Sequence, residues 1–243
     1  MCGRFLLTSP IEALRRIFGV SSGLNIPARY NIAPTQSTVV VRRTAEGGRE
    51  LVLLRWGLVP SWAKDLSIGA KLINARADTV ATKPSFRAAF RQRRCLVPAD
   101  GFYEWKETQP GKPKQPYLIA RADRQPFAFA GLWEHWQDGQ QTVETFTLIT
   151  TDANATLMPI HHRMPVILAA TDYATWLDPA SKGAEALLKP APDDLLATTP
   201  ISTRVNSVRN DEPGLIEPVA DAPAAAPATK SAGKKASSQG SLF

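Results

Sequence analysis

Short apolar segments separated by turn residues dominate this sequence, and their order constrains the fold more than any other feature. Most are about four to eight residues long and rich in β-branched or aromatic residues, which is typical of strands. Segments that predict helices are fewer and do not alternate regularly with the strands, which argues against a doubly wound parallel sheet. The pattern predicts an α+β protein, a strand-rich antiparallel pseudo-barrel with short peripheral helices. The predicted strands are residues 38–42 and 50–56 (joined by a turn at 46–48), 94–97, 101–105, 117–120, 127–133, 143–150, 166–169 and 201–205.

The first predicted helix begins after Ser9, which can serve as its N-cap. Pro10 suits the first helical position, and Glu12 completes a capping box. Apolar residues then recur on one face, and Gly19 is a suitable end for the helix. Further helices are predicted at residues 85–91, 152–158 and 172–177.

The composition changes after residue 217. Residues 218–243 are rich in Ala, Pro, Ser, Gly and Lys, with almost no large apolar residue before Leu242 and Phe243. Such a segment cannot bury enough apolar surface to offset the entropy of ordering. The sequence therefore predicts one folded domain at residues 1–217 and a disordered tail at 218–243.

Several protein classes are excluded by composition. Two cysteines, in a chain of 243 residues, are too few for a disulfide scaffold or a four-thiolate zinc site. No stretch approaches the roughly 20 apolar residues of a membrane helix, and the N-terminus has no apolar signal core. We expect a cytoplasmic monomer with reduced cysteines that does not bind a membrane, a metal or a cofactor.

Positive charge is concentrated in one window, residues 71–94. Seven basic residues there accompany a single acid, Asp78, whereas the whole chain carries a net charge of +7. Such a cluster suits a polyanionic partner, although a solvated basic face would look the same. Trp56, Trp62 and Trp105 lie among the basic segments and either stack on unpaired bases or belong to the core. The basic residues of the window are Lys71, Arg76, Lys83, Arg87, Arg91, Arg93 and Arg94.

Cys2 stands at the position that becomes the N-terminus when the initiator Met1 is removed. An N-terminal cysteine carries a thiol and an α-amine on adjacent carbons, with reference pKa values of about 8.5 and about 7.7–8.0. The amine of such a 1,2-aminothiol can form an imine with an aldehyde, and the thiol can then close a thiazolidine ring. The alternative is a small residue at a frayed terminus.

Glu104, the His161–His162 pair and Asn74 could also carry chemistry, and each has a structural alternative. Glu104 lies in an aromatic strand; facing inward, it would have a raised pKa suited to proton transfer, and facing outward it would be solvated. The adjacent His161 and His162 are too isolated for a metal site, so one of them is either a proton-transfer group or structural. Asn74 offers a donor and an acceptor to a substrate, or occupies a turn. Cys95 is predicted to be an inert buried thiol.

Eight segments together resemble the SOS-response-associated peptidase (SRAP) family, whose members crosslink to abasic sites in single-stranded DNA. They occur in the family's order over about residues 2–210, and their combination is highly specific. The matching segments are MCGR (1–4), YNIAPT (30–35), RWGLVPSW (55–62), NAR (74–76), CLVP (95–98), GFYEW (101–105), FAGLW (129–133) and HHRMP (161–165).

The resemblance implies roles for individual residues. Cys2 would be the crosslinking nucleophile, Asn74 would help to position it, and Glu104 would transfer protons. In the family pattern His-x-Arg-Met-Pro the functional histidine is the first, which is His161 here. One position departs from the family, because Asp78 stands where the family usually has Glu. The residues implied to line the DNA path are Arg4, Asn31, Pro34, Arg76, Trp105 and Arg163.

The function implied by the resemblance is covalent capture of abasic sites in single-stranded DNA through a thiazolidine at Cys2, which protects the lesion during replication and the SOS response. The protein would associate with the nucleoid through DNA and need no cofactor. Strand cleavage as an abasic-site lyase and autoproteolytic removal of the residue before Cys2 are implied as further activities.

Two other functions remain open from the residues alone. Glutamine amidotransferases with an N-terminal cysteine nucleophile also begin Met-Cys-Gly, although they usually need a second domain that consumes ammonia. A noncatalytic single-strand binder would use only the basic window and the tryptophans.

Overall fold

The computed structural model describes residues 2–21, 24–139 and 141–220, and these form two β-sheets with short helices at the periphery. The smaller sheet has five strands in the order β13-β8-β7-β1-β2, and all of its pairings are antiparallel. Its strands are β1 (Phe5–Leu7), β2 (Arg29–Ile32), β7 (Gly101–Lys106), β8 (Gln115–Arg121) and β13 (Leu196–Pro200).

The larger sheet closes on itself. Five of its strands form a ring, because β9 pairs with β10 at one end of the order β10-β4-β3-β6-β9. The pairings of β10 with β4 and with β5 are parallel, and the others are antiparallel. The eight strands are β3 (Ser37–Arg43), β4 (Arg49–Trp56), β5 (Asn74–Arg76), β6 (Arg94–Ala99), β9 (Phe127–Asp138), β10 (Gln141–Asp152), β11 (Arg163–Pro165) and β12 (Ile167–Leu168). The predicted strand-rich α+β pseudo-barrel is confirmed.

The helices are short and lie outside the barrel. They are α1 (Ile11–Phe18), α2 (Arg87–Gln92) and α3 (Tyr173–Leu177), and 3₁₀ turns occur at Leu66–Lys71, Ala170–Asp172, Glu185–Leu187, Thr203–Asn206 and Pro213–Ile216. Helix α1 ends at Gly19, as predicted, with the glycine at φ 64°. No helix of the described residues is long and apolar enough to cross a bilayer.

Three local predictions were wrong, each because a side chain found a tertiary partner. Ser9 does not cap α1, since its hydroxyl donates to Asp100 Oδ1 at 2.6 Å. The helix predicted at 152–158 is a set of turns, in which Asn154 bonds to the carbonyls of Ala191 and Pro192. The strand predicted at 201–205 is one bridge at Ile201 followed by a 3₁₀ turn.

Backbone contacts continue past residue 217, where the sequence predicts the folded domain to end. Pro218 forms a β-bridge with Ile201, and the backbone N–H of Val219 donates to Pro200 O at 3.0 Å. The first residues of the predicted tail are therefore fastened to the end of β13. Residues 221–243, which make up the rest of that prediction, lie outside the described residues.

The main core fills the space between the sheets with aromatic rings. Phe5 of β1 packs edge-on against Trp56 of β4 at 5.1 Å between ring centroids, and Trp56 stacks on Phe146 of β10. These rings are fully buried, so Trp56 belongs to the core and is not a stacking platform for bases. The contact places the N-terminal strand of the small sheet directly against the barrel.

Candidate functional site

The N-terminal segment extends along β7, which fixes the position of Cys2. Phe5 pairs with Phe102, and the N–H of Tyr103 donates to Arg4 O at 3.0 Å. Cys2 itself is fully buried, with its Sγ 3.8 Å from Arg4 O. The alternative interpretation, a small residue at a frayed terminus, is therefore wrong.

Glu104 faces the interior from the same small sheet. It is 3% exposed, and this burial raises the pKa of its carboxyl. Burial also raises the pKa of the Cys2 thiol, and the negative charge of Glu104 raises it further. The two groups are thus electrostatic neighbours, and the environment favours a neutral thiol and a protonated carboxyl.

The large sheet supplies Asn74 from the opposite side. Asn74 begins β5, which pairs in parallel with β10 at Leu148, and its Nδ2 donates to the Cys2 carbonyl at 2.7 Å. The buried Oδ1 of Asn74 has no hydrogen-bond partner among the described residues. A donor on a bound substrate, or the Cys2 amine, would satisfy it.

His161 reaches the site through the other edge of β10. The strand β11 pairs with the end of β10, where Arg163 lies opposite Asp152, and His161 lies just before it. His161 Nδ1 lies 3.0 Å from the backbone N and 3.2 Å from the carbonyl O of Arg163; a neutral ring that accepts from the N–H carries its proton on Nε2. Burial lowers the pKa of His161 to about 4. The His162 ring stacks on it at 4.5 Å between centroids.

Arg4 and Asn31 hold a segment that we call the strap, residues 202–211. Arg4 Nη1 donates to Asn31 Oδ1 and to Val205 O, both at 2.8 Å. Asn31 is fully buried, and its Nδ2 donates to the carbonyls of Val205, Ser207 and Asn210. The amide of Asn31 is therefore engaged by the strap, and its predicted contact with DNA stays a prediction.

Arg163 and Arg76, two further predicted DNA contacts, differ in exposure. Arg163 is 8% exposed and donates to Thr150 O at 2.6 Å and to Asp152 Oδ1 at 3.2 Å, so it braces β10 and does not line a surface. Arg76 is exposed, and its guanidinium forms a forked pair with Asp78. The shorter acidic residue at 78 therefore has a partner, and Arg76 must exchange it for a phosphate to bind DNA.

Pro34 lies in a tight turn, and the backbone strain of this turn was not predicted from the sequence. The N–H of Gln36 donates to Ala33 O, with Pro34 and Thr35 between them. Thr35 has φ 71°, which is rare for a β-branched residue. Such conformations are concentrated at functional sites, and the YNIAPT motif contains this one. In the sequence, only the adjacent Pro34 and Thr35 indicate this turn.

The basic window is divided between surface and interior. Arg94 is buried and Arg93 pairs with Glu134 at 2.8 Å, so neither contributes an open positive charge. The remaining surface cations are Lys71, Arg76, Lys83, Arg87 and Arg91. Trp62 is 58% exposed, whereas Trp105 is partly buried with its Nε1 donating to Asn206 Oδ1 at 2.7 Å. Cys95 is buried, as predicted.

No group of three or more His, Cys, Asp or Glu side chains that could hold a metal ion occurs within the described ranges. The site instead joins four residues from two sheets, Cys2 and Glu104 from the small one and Asn74 and His161 from the large one.

Comparison with known proteins shows which family the chain belongs to. The model of the "SOS response associated peptidase (SRAP)" family matches residues 1–208. The chain belongs to the SRAP family. The matched range contains all four residues of the candidate site and all six predicted DNA contacts.

Relatives of this SRAP protein include bacterial and vertebrate proteins. It is 42% identical over 224 residues to the abasic site processing protein YoqW of Bacillus subtilis, covering 89% of this chain and 99% of that protein. It is 36% identical over 225 residues to the abasic site processing protein HMCES of Gallus gallus, covering 78% and 66%. A crystal structure of a Bacteroides thetaiotaomicron protein matches with a TM-score of 0.80 at 28% identity, covering 90% of this chain and all of that one.

Proposed function

We propose that this SRAP protein captures abasic sites in single-stranded DNA as a covalent adduct on Cys2, after removal of Met1. The observation that carries the proposal is the hydrogen bond from Asn74 Nδ2 to the Cys2 carbonyl, with the buried Glu104 carboxyl beside the same residue. The names of the relatives, abasic site processing proteins, support the same substrate.

The reaction begins at the amine of Cys2. The ring-opened abasic sugar presents a C1′ aldehyde, and the neutral amine adds to it to give a carbinolamine. The thiol is a poor first nucleophile, because burial raises its pKa and holds it protonated. The carbinolamine then loses water to give an imine, with Glu104 as the acid that protonates the departing hydroxyl. The raised pKa of Glu104 suits this role.

Ring closure completes the adduct. The Cys2 sulfur adds to the imine carbon, and its proton passes to the imine nitrogen, so that the thiazolidine forms with the overall loss of one water. Neutral His161, protonated on Nε2, is positioned to donate to the sugar or to relay this proton. The imine stage also permits β-elimination, which gives a minor lyase activity, and the same groups assist the reverse reaction.

The preference for single strands follows from burial. The target aldehyde must reach a fully buried Cys2, which a nucleotide stacked inside a duplex cannot do. The exposed Trp62 ring and the surface cations then hold the flanking strand by stacking and charge. The protein acts as a monomer, associates with the nucleoid through this DNA, and removes its own Met1; sedimentation and intact-protein mass test the first and last of these points.

The direct test is incubation with single-stranded DNA that carries one abasic site. A heat-stable adduct should form with the wild type, whose mass equals protein without Met1 plus DNA minus one water. Cys2→Ala should abolish the adduct, whereas Cys95→Ala, which removes the other buried thiol, should retain it. An equal adduct with Cys2→Ala, or a mature protein that keeps Met1, would contradict the proposal. Glutaminase activity without a DNA adduct would favour the amidotransferase instead.

A second experiment tests Glu104. Glu104→Gln keeps the shape of the side chain but cannot donate a carboxyl proton, so adduct formation at saturating DNA should slow by roughly 10²–10⁴-fold. Single-turnover rates measure this. Wild-type kinetics in this variant would remove Glu104 from the mechanism.

A further inference from the structure

The strap, residues 202–211, is fixed at both ends beside Cys2. At one end, Val205 is fully buried in a small apolar cluster with Leu6 and Tyr103. At the other end, the Asp211 carboxylate accepts hydrogen bonds from the N–H groups of Tyr30 and Asn31 at 2.5 and 3.0 Å. Between these anchors the crest, residues 206–209, is exposed.

The side-chain N–H groups of Arg4 and Asn31 are used in hydrogen bonds to this segment. Arg4 reaches the carbonyls of Val205 and Asn206, and Asn31 those of Val205, Ser207 and Asn210. Because a guanidinium or amide held by backbone carbonyls has few donors left for a phosphate, these residues act on the strap more than on DNA.

The crest itself offers groups that suit a nucleic acid strand. Arg209 is exposed, and its backbone N–H donates to Ser207 Oγ at 3.4 Å. Val208 is 47% exposed. Asn206 Oδ1 accepts from Trp105 Nε1 at 2.7 Å, and Trp105 lies in β7, the strand along which the Cys2 segment extends.

We propose that the crest is a DNA-binding surface adjacent to the crosslinking site. Arg209 contacts a backbone phosphate, and Asn206 is a positioning residue that fixes the Trp105 ring as a platform for a neighbouring base. The inference rests on the proposed function but assigns the strand contacts to a segment that the recognised motifs do not include.

Salt dependence tests the phosphate contact. Arg209→Ala should reduce the slope of log K against log salt by about 0.7 for an undamaged single strand, the value for one lost phosphate contact. Arg16→Ala, an exposed arginine on α1, is the matched control and should leave the slope unchanged. Fluorescence anisotropy measures both. An unchanged slope in Arg209→Ala would overturn the assignment, and it is readable even if the wild type forms no adduct.

A double-mutant cycle with Asn206→Ala and Trp105→Ala tests the role of Asn206 in strand binding. Asn206→Ala should weaken strand binding in the wild-type background but not further in a Trp105→Ala background, because its effect passes through that ring. Additive losses in the double variant would show that Asn206 does not act through Trp105.

Discussion

Cys2, Glu104 and His161 each have a pKa displaced by burial, in the direction that favours the neutral form. Burial thus disfavours the thiolate of Cys2, the carboxylate of Glu104 and the imidazolium of His161. This combination suits imine chemistry, where the amine must be neutral and water must leave. It would be unsuitable for a thiolate-first reaction.

His161 should stay neutral well below neutral pH. Its folded-state pKa of about 4 lies below the value of about 6.5 expected in the unfolded chain, so the unfolded state takes up the proton first as pH falls. The stability contributed by the neutral ring is present above about pH 6.5 and is lost as pH falls through about 4. NMR titration of the ring protons measures the pKa, and His161→Gln should flatten this part of the stability profile. A His161 midpoint near 6.5 would contradict the prediction.

Asn74 should act on the rate of capture more than on DNA affinity. Asn74→Ala removes the hydrogen bond to the Cys2 carbonyl, so the nucleophile is held less precisely and adduct formation at saturating DNA should fall by roughly 10–100-fold. Affinity for undamaged single strands should change little. Asn210→Ala, which removes an amide elsewhere near the N-terminal segment, is a suitable comparison. A loss confined to affinity would place Asn74 in strand binding instead.

Among the elements, strand β10 positions two of the four candidate residues, Asn74 and His161. One of its edges pairs with β9 and then β11, and the other pairs with β4 and then β5. Because β5 and β11 flank the same end of β10, they bring Asn74 and the segment that holds His161 to that end from distant parts of the chain. The glycine at position 57 permits the chain to leave β4 towards β5, since it has φ 117° and an added Cβ would lie 2.6 Å from Gly69 O.

Arg94 joins the ends of two helices and should matter for stability. Its guanidinium donates to Phe90 O at 2.7 Å and to Trp176 O at 2.6 Å, and also to Asp178 O, which caps α2 and α3 together. Arg94→Met should lower the free energy of unfolding by about 2–4 kcal/mol, because it leaves buried carbonyls without donors. Arg91→Met, an exposed neighbour, should change it by less than about 0.5 kcal/mol. Urea unfolding measures both, and equal small effects would contradict the capping role.

At the scale of the whole molecule, the site exists only where the two sheets meet. Glu104 lies in the small sheet and Cys2 just before its strand β1, whereas Asn74 lies in β5 of the larger sheet and His161 just before β11. The Phe5–Trp56 contact joins the two sheets. The strap then closes over the N-terminal segment from the far end of the chain, with Arg4 bonded to Val205 and Asn206.

The end of the folded unit should lie after Val219. A chain truncated after residue 220 should unfold like the full-length protein and form the adduct equally well. Truncation after residue 217 removes the Pro218 bridge and the Val219 hydrogen bond, and it should cost about 1 kcal/mol. Thermal or urea unfolding of the two truncations compares them. Equal stability of both would place the boundary at 217, as the composition predicted.

Much of the fold could be predicted from local pattern. The hairpin of β3 and β4, the aromatic strand β7 and the two long strands β9 and β10 all coincide with runs of β-branched and aromatic residues. The failures at Ser9, at residues 152–158 and at residues 201–205 share one feature: a side-chain hydrogen bond joins the segment to a residue distant in sequence. In the last case the side chain of Gln115 donates to Ile201 O. Local propensity contains no information on such partners.

The sequence by itself predicted the proposed chemistry, because a cysteine at position 2 presents a thiol and an amine on adjacent carbons once Met1 is removed. It also determined the strand-rich architecture, since alternation and turn residues are local properties. Tertiary structure alone decided which charges are available. It buried Arg94, Asn31 and Arg163 against carbonyls and left Arg209 exposed on the strap. The physical reason is that burial and hydrogen-bond partners depend on which distant segments meet, and those contacts set both pKa and accessibility.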